Sequence, residues 1–523
     1  WLFPHRGLEL YSDKPPMLMW LQAALYSLLG NWRIAFLLPS LLAALGTLWC
    51  VQDLGRRLWT RRVGLYAAWM LLFALHFTFQ AKKAQIDPLI VFFITLANYG
   101  LIRHLLLGPA WRWWWLGWFA AGLGVITKGV GVVALLMIVP AALASVWGWR
   151  GVGLSVRRWQ FWVAPLVFLL AIALWLVPMV VTALATGSSE YRAYMDDILF
   201  RQTAKRYAQS WDHHQPWWYF LATMPSMWIP AFLAVPWAIP AWWRRLRRRD
   251  PRYFVLLGWW ALIVLFFSIP DGKRDVYILP SLPMFCLALA PLLPGLLRKR
   301  AFQWLLAAFT ALLAALTLAA GIAMLAGQPG FESRLMGSRG IDSSVTAALA
   351  WAAVAMGCWG VASLAVWGRG RAQIAVVSTL TVIWLLYSLV GYPLLNASSS
   401  ASGLMQAVGR RIGPSAELGL VAWKEQNLLM ADRPAATFGF QKRWEAQLRE
   451  GVDWLAEAPR ARWLLVQEDA LLGCVDRSRA ELAGIANRRR WWLLQSDAVV
   501  GACVPTAEER ARERRLQSRQ ADE

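Results

Sequence analysis

Long apolar runs separated by short polar breaks make up most of the chain between residues 34 and 394. A run of about 20 apolar residues is long enough to cross a bilayer as a helix. Proline, glycine or clustered arginine marks most of the breaks. The pattern predicts twelve membrane-spanning helices, at residues 34–52, 63–80, 88–106, 113–127, 130–147, 160–183, 217–242, 253–269, 276–297, 302–326, 345–367 and 372–394.

Two stretches outside these runs follow other patterns. Residues 17–30 have one apolar side but are short for a span, which predicts a helix lying along the membrane surface. After residue 403, short apolar runs alternate with charge. Leu418–Ala422 and Trp463–Val466 predict buried strands, and Trp444–Ala456 predicts a helix. We therefore expect a loop with interfacial helices at 1–33, a transmembrane domain at 34–394 and a small α/β domain at 395–523.

The distribution of positive charge predicts the orientation. Six alternate connections between the apolar runs carry twenty Lys and Arg residues, whereas four short connections on the opposite side carry seven. Basic loops stay in the cytoplasm, so the first set is predicted to be cytoplasmic. Residues 1–33, the loop 184–216 and the C-terminal domain are then extracytoplasmic.

Composition excludes two other classes of protein. Of the 523 residues 58% are hydrophobic and only 16% are charged, whereas soluble domains carry about 25% charged residues. The net charge of +23 could suggest nucleic-acid binding, but the basic residues cluster at the ends of apolar runs and no base-stacking motif accompanies them.

Cys474 and Cys503 would be able to pair if their domain is extracytoplasmic, which the sequence leaves open.

The first candidate for chemistry is Tyr11-Ser12-Asp13-Lys14-Pro15-Pro16, directly before an apolar segment. The paired prolines prevent a helix from continuing through Asp13 and Lys14. The two charges are therefore predicted to lie in a fixed, non-helical segment at the membrane surface. They form either a surface ion pair or a carboxylate beside a phosphate-binding ammonium.

Two further candidates stand at the ends of spans. Asp87, followed by Pro88, either caps a helix or faces a cavity, because ionisable groups at membrane depth usually have a partner or a function. Lys128 is an isolated cation before Gly129. It either extends towards the surface or binds phosphate in the turn.

The last candidates lie on the side of the membrane where positive charge is disfavoured. Lys273 and Arg274, within Asp271–Pro280, are suited to a lipid phosphate or pyrophosphate. His213, at the end of the largest extracytoplasmic loop, is either a solvated residue, a metal ligand or a proton carrier. No Walker A, GxSxG, HExxH or GxGxxG motif occurs in a usable context, which argues against an ATP-driven pump and the usual hydrolases.

Taken in order, these motifs resemble those of the GT-C membrane glycosyltransferases of the protein O-mannosyltransferase and aminoarabinose transferase superfamily. The resemblance covers nearly the whole chain, although aminoarabinose transferases usually have Glu where this chain has the shorter Asp13. The matching blocks are Gly7–Pro16 with Trp20-Leu21, Arg33 with Leu38-Pro39-Ser40, Asp87, Gly124–Gly129, His213–Tyr219 and Lys273–Pro283.

The resemblance implies an all-α polytopic GT-C fold with about twelve spans in this chain and a small extracytoplasmic α/β domain after them. The chain opens with Trp1 inside a motif. We therefore expect one further span upstream, together with the acidic residue that serves this family as the catalytic base. The protein is expected in a bacterial inner membrane, with its active site facing the periplasm.

The resemblance also implies transfer of a sugar of the aminoarabinose or hexose type from a polyprenyl-phosphate carrier to a periplasmic acceptor. Lipid A, another glycan or lipid, or a protein could be that acceptor. A divalent cation is one option for a cofactor, which stays open. The alternatives are protein O-mannosylation and a flippase for polyprenyl-phosphate sugars. The expected catalytic residues are Asp13, Asp87 and His213, and those expected to bind the donor phosphate are Lys14, Lys128, Lys273 and Arg274.

Overall fold

The computed structural model of this protein describes residues 1–200, 214–327, 343–507 and 509–510. Eight helices in this part of the chain are long and apolar enough to cross a membrane. They are Trp32–Leu58, Ile86–Leu107, Trp159–Ala185, Pro251–Ser268, Asp275–Leu296, Arg300–Leu325, Ser343–Trp367 and Ala372–Asn396. The chain is therefore a polytopic helical membrane protein, as the apolar runs predicted.

Two more spans reach the same length and hydropathy only as bent pairs of helices. Arg61–Phe73 joins Leu75–Ala81 at an angle of 69°, and Tyr219–Met227 joins Ala231–Arg247 at 102°. In the second pair, a 3₁₀ turn precedes the α-helix Val235–Arg247. Both bends put the ends of helical segments, and therefore polar backbone groups, at positions inside a predicted span.

The remaining two of the twelve predicted spans are helical but less apolar or shorter. Trp111–Lys128 begins Trp-Arg-Trp-Trp-Trp, which lowers its hydropathy. The other segment consists of the 3₁₀-helix Val130–Met137 and the α-helix Ile138–Val146, which together are too short for the same criterion. By length and hydropathy, the described chain thus has eight to ten candidate spans rather than twelve.

Shorter helices connect or subdivide these spans. The predicted helix after Pro16 is confirmed as Met17–Leu29, and it ends at Gly30 in a left-handed conformation with φ of 63°. Ser189–Asp196 follows Trp159–Ala185. The spans Asp275–Leu296 and Ala372–Asn396 contain local breaks, giving the α-helices Leu282–Leu289, Leu293–Leu296, Ala372–Leu386 and Tyr392–Ser399, with a π-helix at Tyr387–Gly391.

The helices Ile86–Leu107 and Trp111–Lys128 form a tightly packed antiparallel hairpin. At the crossing, a Cβ added to Gly100 would lie 2.3 Å from the carbonyl oxygen of Trp113 and 2.8 Å from the amide nitrogen of Gly117. Only glycine permits this approach of the two backbones. The hairpin brings the first turn of one helix beside the last turn of the other.

The C-terminal part contains the predicted small α/β domain. Its helices are Ser402–Ile412, Glu425–Leu429 and Trp444–Glu457. Its strands are β3 (Glu417–Val421), β4 (Ala435–Thr437), β5 (Arg462–Gln467), β6 (Glu481–Ala486) and β7 (Arg489–Leu494), numbered after a short hairpin of β1 (His5–Arg6) and β2 (Glu9–Leu10). The predictions for Leu418–Ala422, Trp463–Val466 and Trp444–Ala456 are confirmed.

The sheet of this domain has the order β4-β3-β5-β7-β6. Strand β3 runs parallel to β4 and β5, whereas β7 is antiparallel to β5 and β6. Side chains of β5 alternate between two cores, with Leu464 and Val466 packed under Trp444–Glu457 and Leu465 packed under Ser402–Ile412. Each face of the sheet is therefore covered.

A disulfide joins Cys474 to Cys503, with their Cα atoms 5.0 Å apart. The other three cysteines, Cys50, Cys286 and Cys358, are free thiols. Disulfides form and persist in oxidising compartments. The pairing is therefore the chemistry expected of an extracytoplasmic domain.

The chain divides into two compact units. One comprises Trp1–Pro4 and Leu10–Phe302, and the other comprises His5–Glu9 and Gln303–Glu523. The second unit includes the last three candidate spans as well as the C-terminal domain. The boundaries predicted from the sequence at residues 33 and 394 stay a prediction.

Replacing Gly100 by alanine is expected to force the helical hairpin apart, because the new methyl group would overlap the Trp113 carbonyl. Overpacking of this kind costs about 1–3 kcal/mol, so the midpoint of thermal unfolding in detergent should fall by several degrees. Gly295→Ala is the matched control, because no atom lies within 4 Å of its Cβ position. Equal midpoints for the two variants would contradict the close packing.

Candidate functional site

An ion pair joins the two ends of the helical hairpin. Asp87 lies in the first turn of Ile86–Leu107, and Lys128 is the last residue of Trp111–Lys128. Lys128 Nζ donates to Asp87 Oδ1 at 2.5 Å, and the two side chains are only 15% and 12% exposed. The Lys128 ammonium also lies 5.4 Å from the centre of the Tyr277 ring.

This geometry does not support the simpler alternative for either residue, whereas their roles at a site stay predictions. The N-cap of the helix is Gln85 rather than Asp87, and the Asp87 carboxylate accepts from Lys128. Lys128 is held at the pair, beside the left-handed Gly129 with φ of 77°, instead of extending away from the protein. A largely buried charge pair is costly to assemble, so its presence in this turn demands an explanation.

His76 is a neighbour of this pair that the sequence reasoning did not identify. It lies in Leu75–Ala81 and is 1% exposed. Its Nε2 is 3.5 Å from Asp275 Oδ2, and within the described residues neither ring nitrogen has a hydrogen-bond partner. The charges of Asp275, Asp87 and Lys83 all act on it. The signal in the sequence is an isolated ionisable residue inside an apolar run.

Lys83 and Arg274 complete the charged cluster. Burial lowers the pKa of Lys83, the carboxylates of Asp275 and Asp87 oppose that shift, and the guanidinium of Arg274 adds to it. These interactions bring together residues from the turn after Leu75–Ala81 and from the start of the span Asp275–Leu296. We call His76, Lys83, Asp87, Lys128, Arg274 and Asp275 the charged cluster.

Lys273 has a different environment from Arg274. It is 2% exposed, and its Nζ donates to the carbonyl oxygen of Gln215 at 2.9 Å. The backbone of Gln215 also donates to Asp271 O at 3.0 Å, and His214 forms a β-bridge with Gly272. Lys273 thus links the two segments through this hydrogen bond. His213 lies outside the described residues.

The segment of Asp13 and Lys14 is fixed on both sides. Lys14 Nζ donates to the carbonyl oxygen of Asp13 at 3.0 Å, and the buried Ser12 hydroxyl donates to Asp197 Oδ2. Met17 begins the next helix and shares a hydrophobic cluster with Leu89 and Ile126, each two residues from one member of the ion pair. The segment therefore lies at the same end of the helical unit (Trp1–Pro4 and Leu10–Phe302) as Asp87 and Lys128.

The arrangement of charges is suited to an anion. Among the described residues, no group of three or more His, Cys, Asp and Glu side chains could hold a metal ion. The charged cluster instead places three cations, Lys83, Lys128 and Arg274, around two carboxylates. Ammonium and guanidinium groups in a largely buried setting bind phosphate strongly.

Comparisons with known proteins agree with the resemblance seen in the sequence. A model of the family described as dolichyl-phosphate-mannose-protein mannosyltransferase matches residues 13–180. The chain is 29% identical over 345 residues to an undecaprenyl phosphate-alpha-4-amino-4-deoxy-L-arabinose arabinosyl transferase from Pectobacterium carotovorum. The match covers 62% of this chain and 58% of that relative. A relative of the same description from Sodalis glossinidius is 30% identical over 55% of this chain and 51% of its own.

The fold is shared with a solved structure. The crystal structure of ArnT from Cupriavidus metallidurans bound to undecaprenyl phosphate superposes with a TM-score of 0.69 at 16% identity, covering 97% of this chain and 92% of that one. The predicted polytopic helical fold class is thus confirmed, and the chain has the fold of this ArnT structure.

Asp87→Ala and Lys128→Ala are each expected to destabilise the protein, because each leaves a largely buried charge without its partner. Breaking such a pair costs up to about 3–5 kcal/mol, whereas the exposed Arg411–Glu481 pair should cost under about 1 kcal/mol in Arg411→Ala. The double variant Asp87→Asn/Lys128→Met should regain most of the lost stability. Thermal unfolding tests this, and single variants no less stable than Arg411→Ala would refute it.

Proposed function

We propose that this protein transfers a sugar from a polyprenyl-phosphate carrier to an acceptor on the periplasmic side of the inner membrane. The observation that carries the proposal is the charged cluster, which gathers Lys83, Lys128 and Arg274 at one end of a GT-C fold. Relatives of this chain are named for an undecaprenyl phosphate-linked aminoarabinose donor, which supports a donor of that class. A solved structure of the same fold holds undecaprenyl phosphate.

The reaction places its main electrostatic demand on the leaving group. An acceptor hydroxyl oxygen attacks the anomeric carbon, the bond from that carbon to the phosphate oxygen breaks, and the carrier phosphate leaves with the electron pair. The hydroxyl proton passes to a general base. Fixed cations stabilise the charge that develops on the phosphate, which lowers the barrier because they need no rearrangement during the step.

We assign the binding of this phosphate to Lys14, Lys128, Lys273 and Arg274, and we add Lys83. Asp87 holds the Lys128 ammonium in position while the carrier is absent, so that bound phosphate only has to share it. Lys273 binds the phosphate while its ammonium also donates to the Gln215 carbonyl oxygen, which links residues 214–216 to residues 271–273. Asp13 supports the segment of Lys14, and Asp87 and His213 orient the donor or acceptor.

The acceptor is proposed to be lipid A or another periplasmic glycan or lipid. The disulfide between Cys474 and Cys503 supports a periplasmic position of the C-terminal domain. Protein O-mannosylation is the second candidate, since the matching family model carries the name of protein mannosyltransferases. The two differ in the acceptor and in the sugar, whereas both release the carrier phosphate.

Lys14→Ala and Lys128→Ala are each expected to abolish sugar transfer while the protein still inserts into the membrane. Removing one donor from such a site typically lowers the rate by about 10²–10³-fold. Mass spectrometry of lipid A and of periplasmic glycans and glycoproteins should compare cells with the gene, without it, and with each variant. A sugar-sized mass should vanish on deletion and fail to return with either variant.

The matched control is Lys442→Ala, which removes a lysine from the exposed pair with Glu450 in the C-terminal domain. It should restore the product fully. Wild-type product levels in Lys14→Ala or Lys128→Ala would refute the phosphate assignment. An unchanged product pool on deletion, with a polyprenyl-phosphate sugar accumulating in the cytoplasmic leaflet, would indicate a flippase instead.

A further inference from the structure

A short hairpin near the start of the chain is bound by the C-terminal domain. Arg6, in β1, stacks its guanidinium 3.5 Å from the centre of the Phe440 ring, and its NH1 lies 3.2 Å from Glu425 Oε1. The Arg6 side chain is 9% exposed. A partly desolvated guanidinium that both stacks on a ring and bonds a carboxylate is a strong anchor compared with an exposed ion pair.

The other strand of the hairpin contacts the backbone of the same residue, Phe440. The backbone N–H of Phe440 lies 3.0 Å from each carboxylate oxygen of Glu9. Between the strands, Gly7 adopts φ of 64°, and its Cβ position would lie 3.4 Å from Leu428 and 3.5 Å from Trp423. The turn thus requires glycine for its conformation and fits closely against the domain.

The residues that flank the hairpin are fixed within the helical unit. The backbone N–H of Tyr11 donates to Pro4 O at 2.8 Å. Phe3 stacks on Tyr191 with ring centres 4.1 Å apart, and the Trp175 indole donates to Leu2 O at 3.1 Å. Asp13 follows Tyr11 by only two residues. The backbone that carries Asp13 and Lys14 therefore departs directly from the base of this hairpin.

We propose that Arg6 and Glu9, which are held by Glu425 and Phe440, are positioning residues for the Asp13–Lys14 segment that follows their hairpin in the chain. The catalytic consequence rests on the proposed function, whereas the positioning itself does not. Anchoring the hairpin restricts the conformations available to a proline-bounded segment that must present an ammonium to the carrier phosphate.

Hydrogen exchange tests the positioning without any assay of activity. In detergent-solubilised protein, Arg6→Ala and Glu9→Ala should speed exchange of the amides of Tyr11 to Lys14 at least about tenfold, because the Tyr11 bond to Pro4 opens more often. Arg6→Lys, which keeps the charge over the ring, and Glu9→Gln, which keeps an acceptor oxygen, should exchange nearly as the wild type does. Arg411→Ala, which removes another arginine–glutamate pair of the same domain, should leave these amides unchanged.

Steady-state kinetics tests the catalytic consequence. A misplacement of about 1 Å at a reacting group costs roughly 10²-fold, so Arg6→Ala and Glu9→Ala should lower kcat by about 10- to 100-fold. The KM for the donor should change much less, because the other cations of the site are untouched. Arg6→Lys should recover most of the lost kcat, and Arg411→Ala should show none of the loss.

The outcomes separate this inference from the proposed function. Unchanged exchange at Tyr11 to Lys14 together with wild-type kcat in both alanine variants would overturn the positioning role. A fall in activity explained by global instability, with a lowered unfolding midpoint and no recovery in Arg6→Lys, would also overturn it. A wild-type protein without donor-dependent transfer would refute the proposed function, and the exchange result would still decide the positioning role.

Discussion

The structure depends on an ion pair that closes a helical hairpin where its two helices begin and end. Asp87 and Lys128 belong to different helices, and neither charge is well solvated. In such surroundings an unpaired charge is very unfavourable, so the hairpin must bring the two residues together wherever it forms. The close crossing at Gly100 and Gly117 makes this geometry possible. Packing of the backbones and pairing of the charges therefore reinforce each other.

The same constraint accounts for the chemistry that gathers around the pair. Once one ammonium is fixed by a carboxylate, further cations and acids on neighbouring segments interact with it strongly, because the local dielectric is low. Two other parts of the chain contribute charges near the pair: His76 and Lys83 come from Leu75–Ala81 and the turn after it, and Asp275 begins the span Asp275–Leu296. The result is a set of charges whose positions are determined by helix ends rather than by flexible loops. Such preorganisation is what the departure of a phosphate leaving group requires.

The sequence was most informative where one segment determines its own structure. Long apolar runs predicted the helices, and the short apolar runs Leu418–Ala422 and Trp463–Val466 predicted two strands of the mixed sheet. All twelve predicted segments are helical, although Trp111–Lys128 and residues 130–146 do not reach the hydropathy or length of the other candidate spans. Helix formation and membrane crossing are separate properties, and the apolar pattern alone does not distinguish them.

Contacts between distant segments were less predictable. Asp87 and Lys128 were both identified as candidates, but their pairing depends on the antiparallel packing of two helices. His76 was missed because an isolated histidine in an apolar run gives little indication of which acid it will meet. Arg6 and Glu9 both contact Phe440, which lies more than four hundred positions later in the chain, and no local sequence pattern predicts these contacts.

The central claim is that the charged cluster supports transfer of a sugar from its carrier phosphate. It is tested most directly with purified protein in proteoliposomes that contain a defined undecaprenyl-phosphate-linked aminoarabinose donor and lipid A. Modified lipid A and free undecaprenyl phosphate would be measured together by mass spectrometry. The account predicts that one free carrier appears for each acceptor modified. Donor that crosses the bilayer intact, with no carrier released and no acceptor modified, would contradict it.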